Sequence, residues 1–216
     1  MNHKDAYDLR GLFWPDWLKE HWHKAGGSLN GLTEPTVSQV LYSLVIANKP
    51  SDDLYHLPYT IVETGVYYGA TACWLALAAK EADAQYYGFD VLNDSVTMVN
   101  KLFEDHDLTS NARVLRGSAP QAVIDLFAQD GEGCSIDLLF IDDDHSGAHV
   151  EDEYRTLWPL IRPGGIMAFH DVIGGFPIWE VIKSFTDDIV KLVSQPFNQT
   201  GQAPFGGLGI LRKPVD

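Results

Sequence analysis

The apolar run Ile136-Asp137-Leu138-Leu139-Phe140-Ile141 passes abruptly into Asp142-Asp143-Asp144-His145. A segment this apolar reads as a strand buried on both faces, the pattern of a parallel sheet covered by helices. Carboxylates almost never enter a core unpaired, so the three acids belong where the strand leaves the sheet. In an open α/β sheet, that carboxyl end is where ligands bind. Gly165-Ile166-Met167-Ala168-Phe169 repeats the idea and runs into His170-Asp171. Two neighbouring strand ends would then gather several oxygen ligands and two imidazoles into a candidate metal and catalytic site.

Strand and helix signals alternate through the rest of the chain. Strands are expected over 59–63, 85–89, 113–115, 136–141, 166–169, 190–193 and 208–211, and helices over 36–48, 71–82, 95–104, 120–128, 148–161 and 178–186. The expected fold class is α/β: a doubly wound, mostly parallel sheet of seven strands with helices on both faces. Residues 1–50 read as a helical extension and 51–216 as the main domain. Leu9, Leu12, Phe13, Trp17 and Leu18 give the extension a ragged apolar stripe around Pro15. Trp14, Trp17 and Trp22 could cover a ligand or form a dimer contact, whereas Trp158 and Trp179 read as core.

The 216 residues carry a net charge of −15. Such an excess repels a phosphate backbone or an anionic membrane, and no Lys/Arg cluster offsets it. The two cysteines, Cys73 and Cys134, lie in apolar contexts and read as buried thiols suited to a reducing cytosol. No signal pattern and no membrane-length apolar run is visible, so a cytoplasmic protein is expected.

Glu63-Thr64-Gly65-Val66-Tyr67-Tyr68-Gly69 joins the first core strand to its helix. Glycines there let backbone approach a ligand closely. The spacing is neither G-x-G-x-x-G nor a P-loop, and Tyr67 would crowd a bound phosphate. Glu63 suits an ammonium-bearing ligand better than a diphosphate. Asp90, closing the second strand, is placed to accept hydrogen bonds from both hydroxyls of a ribose. Read blandly, the glycines make a tight turn and Asp90 caps a helix; together at these sheet positions they favour a nucleoside pocket.

On these residues the chain resembles the class I S-adenosylmethionine-dependent methyltransferases. Residues 62–69 resemble that superfamily's E/D-x-G-x-x-x-G motif, Asp90 its ribose-binding acid, and Leu160-Ile161-Arg162-Pro163-Gly164-Gly165 its L-x-P-G-G turn. The resemblance implies a Rossmann-like fold and cofactor contacts at Glu63, Gly65, Tyr67, Gly69, Asp90, Gly117, Ser118 and Asp142. Phe140-Ile141-Asp142-Asp143-Asp144-His145 with Phe169-His170-Asp171 is similar to small-molecule and sugar O-methyltransferases, including enzymes of macrolide sugars and aminocoumarins. It implies a small hydroxylated acceptor, a homodimer, and Mg²⁺ at Asp142, His170 and Asp171. Metal-dependent relatives often carry two acids where this chain has His170-Asp171, and imidazole is a softer ligand than carboxylate.

The implied chemistry assigns catalytic parts to His145, Asp142 and His170. A hydroxyl is a poor nucleophile while protonated, and an imidazole with a pKa near ~6.5 can take its proton. Asp144 could be a further ligand or orient His145. Alternatively, Asp142 and Asp144 cap the following helix while Asp143 faces solvent. His149 could share a helix face with His145, although H-E-x-x-H is missing. Two other readings remain open: a nicotinamide-dependent dehydrogenase, and a silent nucleoside-binding module.

Overall fold

The computed structural model describes residues 16–24, 33, 35–50, 58–129, 135–186, 189–192 and 206–215. Leu9, Leu12, Phe13, Trp14, Pro15 and Cys134 lie outside the described residues. Helices α1 (Asp16–Lys24) and α2 (Pro35–Ala47) precede the sheet. Then come β1 (Thr60–Thr64), α3 (Ala70–Ala82), β2 (Gln85–Asp90), α4 (Asn93–Asp105), β3 (Ala112–Arg116), α5 (Gln121–Gln129) and β4 (Ile136–Ile141). The chain continues through α6 (Gly147–Leu157), a 3₁₀ turn (Trp158–Leu160), β5 (Ile161–Phe169), α7 (Ile178–Phe185), β6 (Ile189–Leu192) and β7 (Leu208–Arg212).

The seven strands lie in the order β3-β2-β1-β4-β5-β7-β6. The first five are parallel, and β7 runs antiparallel to both β5 and β6. Strand alternation divides the core between two faces. Leu138 and Phe140 pack with Leu41, Leu75 and Phe103 on one face, while Leu139 and Ile141 pack with Val123, Val150 and Ile182 on the other. The expected doubly wound sheet is present. Its connections reverse direction between β1 and β4, and a crevice opens at such a switch point. The register extends past both strands there: Asp142 N–H donates to Thr64 O, and His170 N–H donates to Ile141 O.

Three expectations need correction. The helix starting near residue 148 ends at Leu157 instead of running to 161, because Pro159 lies in the 3₁₀ turn that follows. Strand β5 begins at Ile161, not Ile166; a register irregularity opposite Ile136 and Leu138 carries Pro163-Gly164-Gly165 within it. Trp158 and Trp179 are only partly buried: Trp158 stacks on Tyr154, and Trp179 lies beneath the ammonium of Lys191. Inside β4, Asp137 is buried but accepts from Thr60 N–H and pairs with Arg162, so an acid within an apolar strand is satisfied.

Candidate active site

The glycine turn leaves β1 with Gly65 N–H bonded to Phe89 O and enters α3 at Gly69. Gly65, Tyr67 and Gly69 all have positive φ, at 80°, 48° and 79°. For a tyrosine this conformation is strained, and such strain concentrates in ligand-binding segments. A Cβ on Gly65 would meet Asp142 O at 2.2 Å and Asp143 Cα at 2.6 Å, so this glycine lets β1 and β4 touch at the crevice.

Asp90 closes β2 against that turn. One carboxylate oxygen accepts from Tyr67 N–H at 2.7 Å and the other from Leu92 N–H at 2.7 Å. Each oxygen keeps a second lone pair. Beside it Val91 and Leu92 are exposed, and Tyr67, Leu92 and Met98 help line a cleft of about 370 Å³. Gly117 follows β3 and donates its N–H to Asp90 O, while Ser118 is exposed next to it. These sequence-expected residues therefore converge along one strand-end rim.

Glu63 differs in setting from the ligand-facing acid expected. It is 1% exposed and accepts a hydrogen bond from the Tyr86 hydroxyl, for which Gly88 leaves room. Burial raises its pKa well above the ordinary carboxyl range; the Tyr86 bond opposes this, and the charges of Asp142 and Asp90 add to it. A raised folded-state pKa means stability present at low pH and lost as pH rises toward that pKa. Glu63→Gln should therefore gain on wild type in melting temperature between pH 5.5 and pH 8.5 in the cofactor-free protein. Parallel melting curves would refute this.

At the ends of β4 and β5, Asp142, His145, His170 and Asp171 come together with ligand atoms within 4.8 Å of one another. Asp142 Oδ1 lies 2.9 Å from His170 Nδ1 in a hydrogen bond, and Oδ2 accepts from Thr33 Oγ1 at 2.8 Å. Burial disfavours the Asp142 anion, yet the His170 charge and the bonds from His145, His170 and Thr33 outweigh it and lower its pKa. His145 Nε2 is 3.0 Å from Asp171 Oδ2 and 3.7 Å from Asp142 Oδ1. That nitrogen is buried between the two carboxylates, which hold it as an ion pair. Asp142 and Asp171 together raise the His145 pKa to about 9 against the effect of burial. Its ring stacks on Phe176, and Asp171 is held at a φ of 53°.

The other acids part company with their expected roles. Asp144 is exposed and accepts from Ser146 N–H at 2.8 Å in a turn just ahead of α6, outside the Asp142–His145–His170–Asp171 cluster. Asp143 is only partly exposed to solvent. Its carboxylate turns to His149, which is thereby drawn away from His145 into a separate cluster. Thr33 was missed altogether, because nothing in the spacing ties a threonine of the N-terminal segment to Asp142. That segment also reaches the glycine turn, where His21 Nε2 lies 2.8 Å from Tyr68 O.

A family model described as a methyltransferase domain matches residues 62–172, and the chain belongs to that family. A comparison with curated proteins gave no match. Among solved structures, an O-methyltransferase from Bacillus cereus in complex with SAH superposes with a TM-score of 0.72 at 15% identity, over 97% of this chain and 96% of that one. The O-methyltransferase TomG from Streptomyces achromogenes, involved in tomaymycin synthesis and in complex with SAM, gives 0.70 at 13% identity over 97% and 95%. SAH-bound methyltransferase PaMTH1 from Podospora anserina gives 0.66 at 15% identity over 100% and 97%. At such identities the likeness establishes the shared class I methyltransferase fold. Among the described residues no helix is long and apolar enough to cross a membrane.

Proposed function

We propose that this methyltransferase uses S-adenosylmethionine to methylate a hydroxyl of a small molecule. One observation carries the reading: a buried His145 nitrogen sits between Asp142 and Asp171, and the Asp142 backbone abuts the Gly65 turn. The methionine end of the cofactor would lie on residues 65–69 and its ribose against the free lone pairs of Asp90. The acceptor oxygen attacks the methyl carbon in line, the carbon–sulfur bond breaks, and S-adenosylhomocysteine leaves. The hydroxyl proton passes to His145, whose imidazolium Asp142 and Asp171 stabilise. The SAH and SAM complexes of the structural neighbours support the cofactor, and their O-methyltransferase descriptions support oxygen as acceptor.

The same four residues fit a divalent cation, since two carboxylates and two imidazoles bring ligand atoms within 4.8 Å of one another. Asp142, His170 and Asp171 would hold it, and when bound it would supply Lewis acidity toward the acceptor oxygen. An imidazole among these three donors suits a borderline transition ion better than Mg²⁺. The net charge of −15 favours a neutral or cationic acceptor over a phosphorylated one.

Calorimetric titration with S-adenosylhomocysteine is the direct test, with and without a chelator. Asp90→Ala should weaken binding by about 10- to 100-fold, the worth of charge-assisted hydrogen bonds. Absence of binding to wild type would defeat the proposal. Methyl transfer from labelled cofactor to a panel of sugars and phenols then identifies the acceptor class.

A further inference from the structure

Asp142 and Asp143 are adjacent in sequence, yet their carboxylates serve two different clusters. The second cluster comprises Asp143 from the loop after β4 and His149 and Glu153 from α6. His149 and Glu153 are four residues apart and so share one face of the helix. His149 Nε2 lies 3.0 Å from Asp143 Oδ2 and 3.6 Å from Glu153 Oε2. All three ligand atoms fall within 4.8 Å of one another.

The unusual feature is how much polarity is left over. Glu153 is 0% exposed, and neither of its carboxylate oxygens is met in hydrogen-bond geometry; burial first, then the charge of Asp143, raises its pKa well above the ordinary carboxyl range. Asp143 Oδ1 and Thr64 Oγ1 are buried and likewise not met in that geometry. Among the described residues, His149 is the only basic side chain paired with either acid. Two acids and one imidazole in so small a volume are poorly compensated. Buried carboxylates are retained where they are paired or coordinate a metal, and a cation here would engage an oxygen of each acid together with His149.

We infer that Asp143, His149 and Glu153 form a second divalent-cation site, structural in role and separate from the Asp142–His145–His170–Asp171 cluster. Its donors are two carboxylates and one imidazole, a set that suits Zn²⁺ or a similar transition ion. Thr64 Oγ1 or a water would complete the coordination. Asp143 and His149 side chains are each 21% exposed, which gives the ion a way in past the fully enclosed Glu153. The site lies behind the glycine turn, since the Cβ that Gly65 lacks would meet Asp143 Cα at 2.6 Å. A cation here would pin the loop that carries Asp142 and His145 to the start of α6. The inference stands whether or not the methyltransferase chemistry is as proposed, because it concerns only metal binding.

The test uses chelator-stripped full-length protein titrated calorimetrically with Zn²⁺ alone. The first cluster is disabled by His170→Gln with Asp171→Asn, so that its own binding cannot be mistaken for the second site. One equivalent of Zn²⁺ should still bind in this background and raise the melting temperature. Adding Glu153→Gln, which keeps the shape while removing the buried charge, should abolish both effects. His149→Gln, at a partly exposed position, repeats the test should Glu153→Gln not fold. Zero equivalents in the background protein would overturn the inference. So would one equivalent that neither substitution reduces. A gain in stability from Glu153→Gln with no Zn²⁺ bound to its parent would instead identify Glu153 as a protonated, metal-free acid, and would equally overturn it.

Discussion

Gly65→Ala is expected to cost about 3 kcal/mol or more of stability and to leave little activity. The residue adopts a φ of 80°, a region that costs an L-residue roughly 1–2 kcal/mol. The added methyl would also meet backbone, at 2.2 Å from Asp142 O and 2.5 Å from Asp142 C, with no flexible side chain to give way. For a chain of this size the loss corresponds to roughly 6–12 °C in melting temperature. Relief requires β1 and β4 to separate, which displaces Asp142 and His145 from the cofactor turn. A shift of about 1 Å can cost roughly 100-fold in rate. Gly147→Ala is the control: its Cβ would meet only the ends of Val181 and Pro177 side chains, at 3.1 and 3.4 Å, and its stability should change by no more than about 1 kcal/mol. Equal behaviour of the two variants would refute the close-approach argument.

His145→Ala should retain the fold yet lose about 100- to 10,000-fold in kcat. The side chain is 27% exposed, and its removal leaves Asp142 bonded to His170 and Thr33. Wild-type activity should also rise with pH. Because the carboxylates hold the His145 pKa at about 9, the basic form accumulates only as pH climbs toward that value. Asp171→Asn removes one anion that favours the imidazolium, so its acid limb should move to lower pH. Rate measurements between pH 6 and pH 10 on all three proteins decide this. An unchanged kcat in His145→Ala would remove the histidine from the proton transfer, and loss of that residual activity on chelation would assign the step to a bound cation.

The parts legible in the sequence share a physical basis: they depend on near neighbours along the chain. Ile136–Ile141 reads as a doubly buried strand because the apolar residues are contiguous, and the acids after it must lie at its exit. Gly65 and Gly69 reveal a turn because few other residues tolerate that backbone. The errors arise where packing brings together side chains that the local pattern does not tie to each other. Asp143 looks like a surface acid until His149 and Glu153 from α6 are packed against it. Glu63 looks available to a ligand until the Tyr86 hydroxyl claims it from the adjacent strand.

The sequence by itself determined the order of strands and helices, the parallel sheet and the strand ends at which chemistry would gather, since periodicity and backbone tolerance are local. Only the tertiary structure decided how that chemistry was partitioned. It sent Asp142 toward His145, His170 and Thr33, and Asp143 toward His149 and Glu153. Successive side chains at a strand exit point in different directions, and which partners await them depends on how α6, the end of β5 and the N-terminal segment pack around that exit.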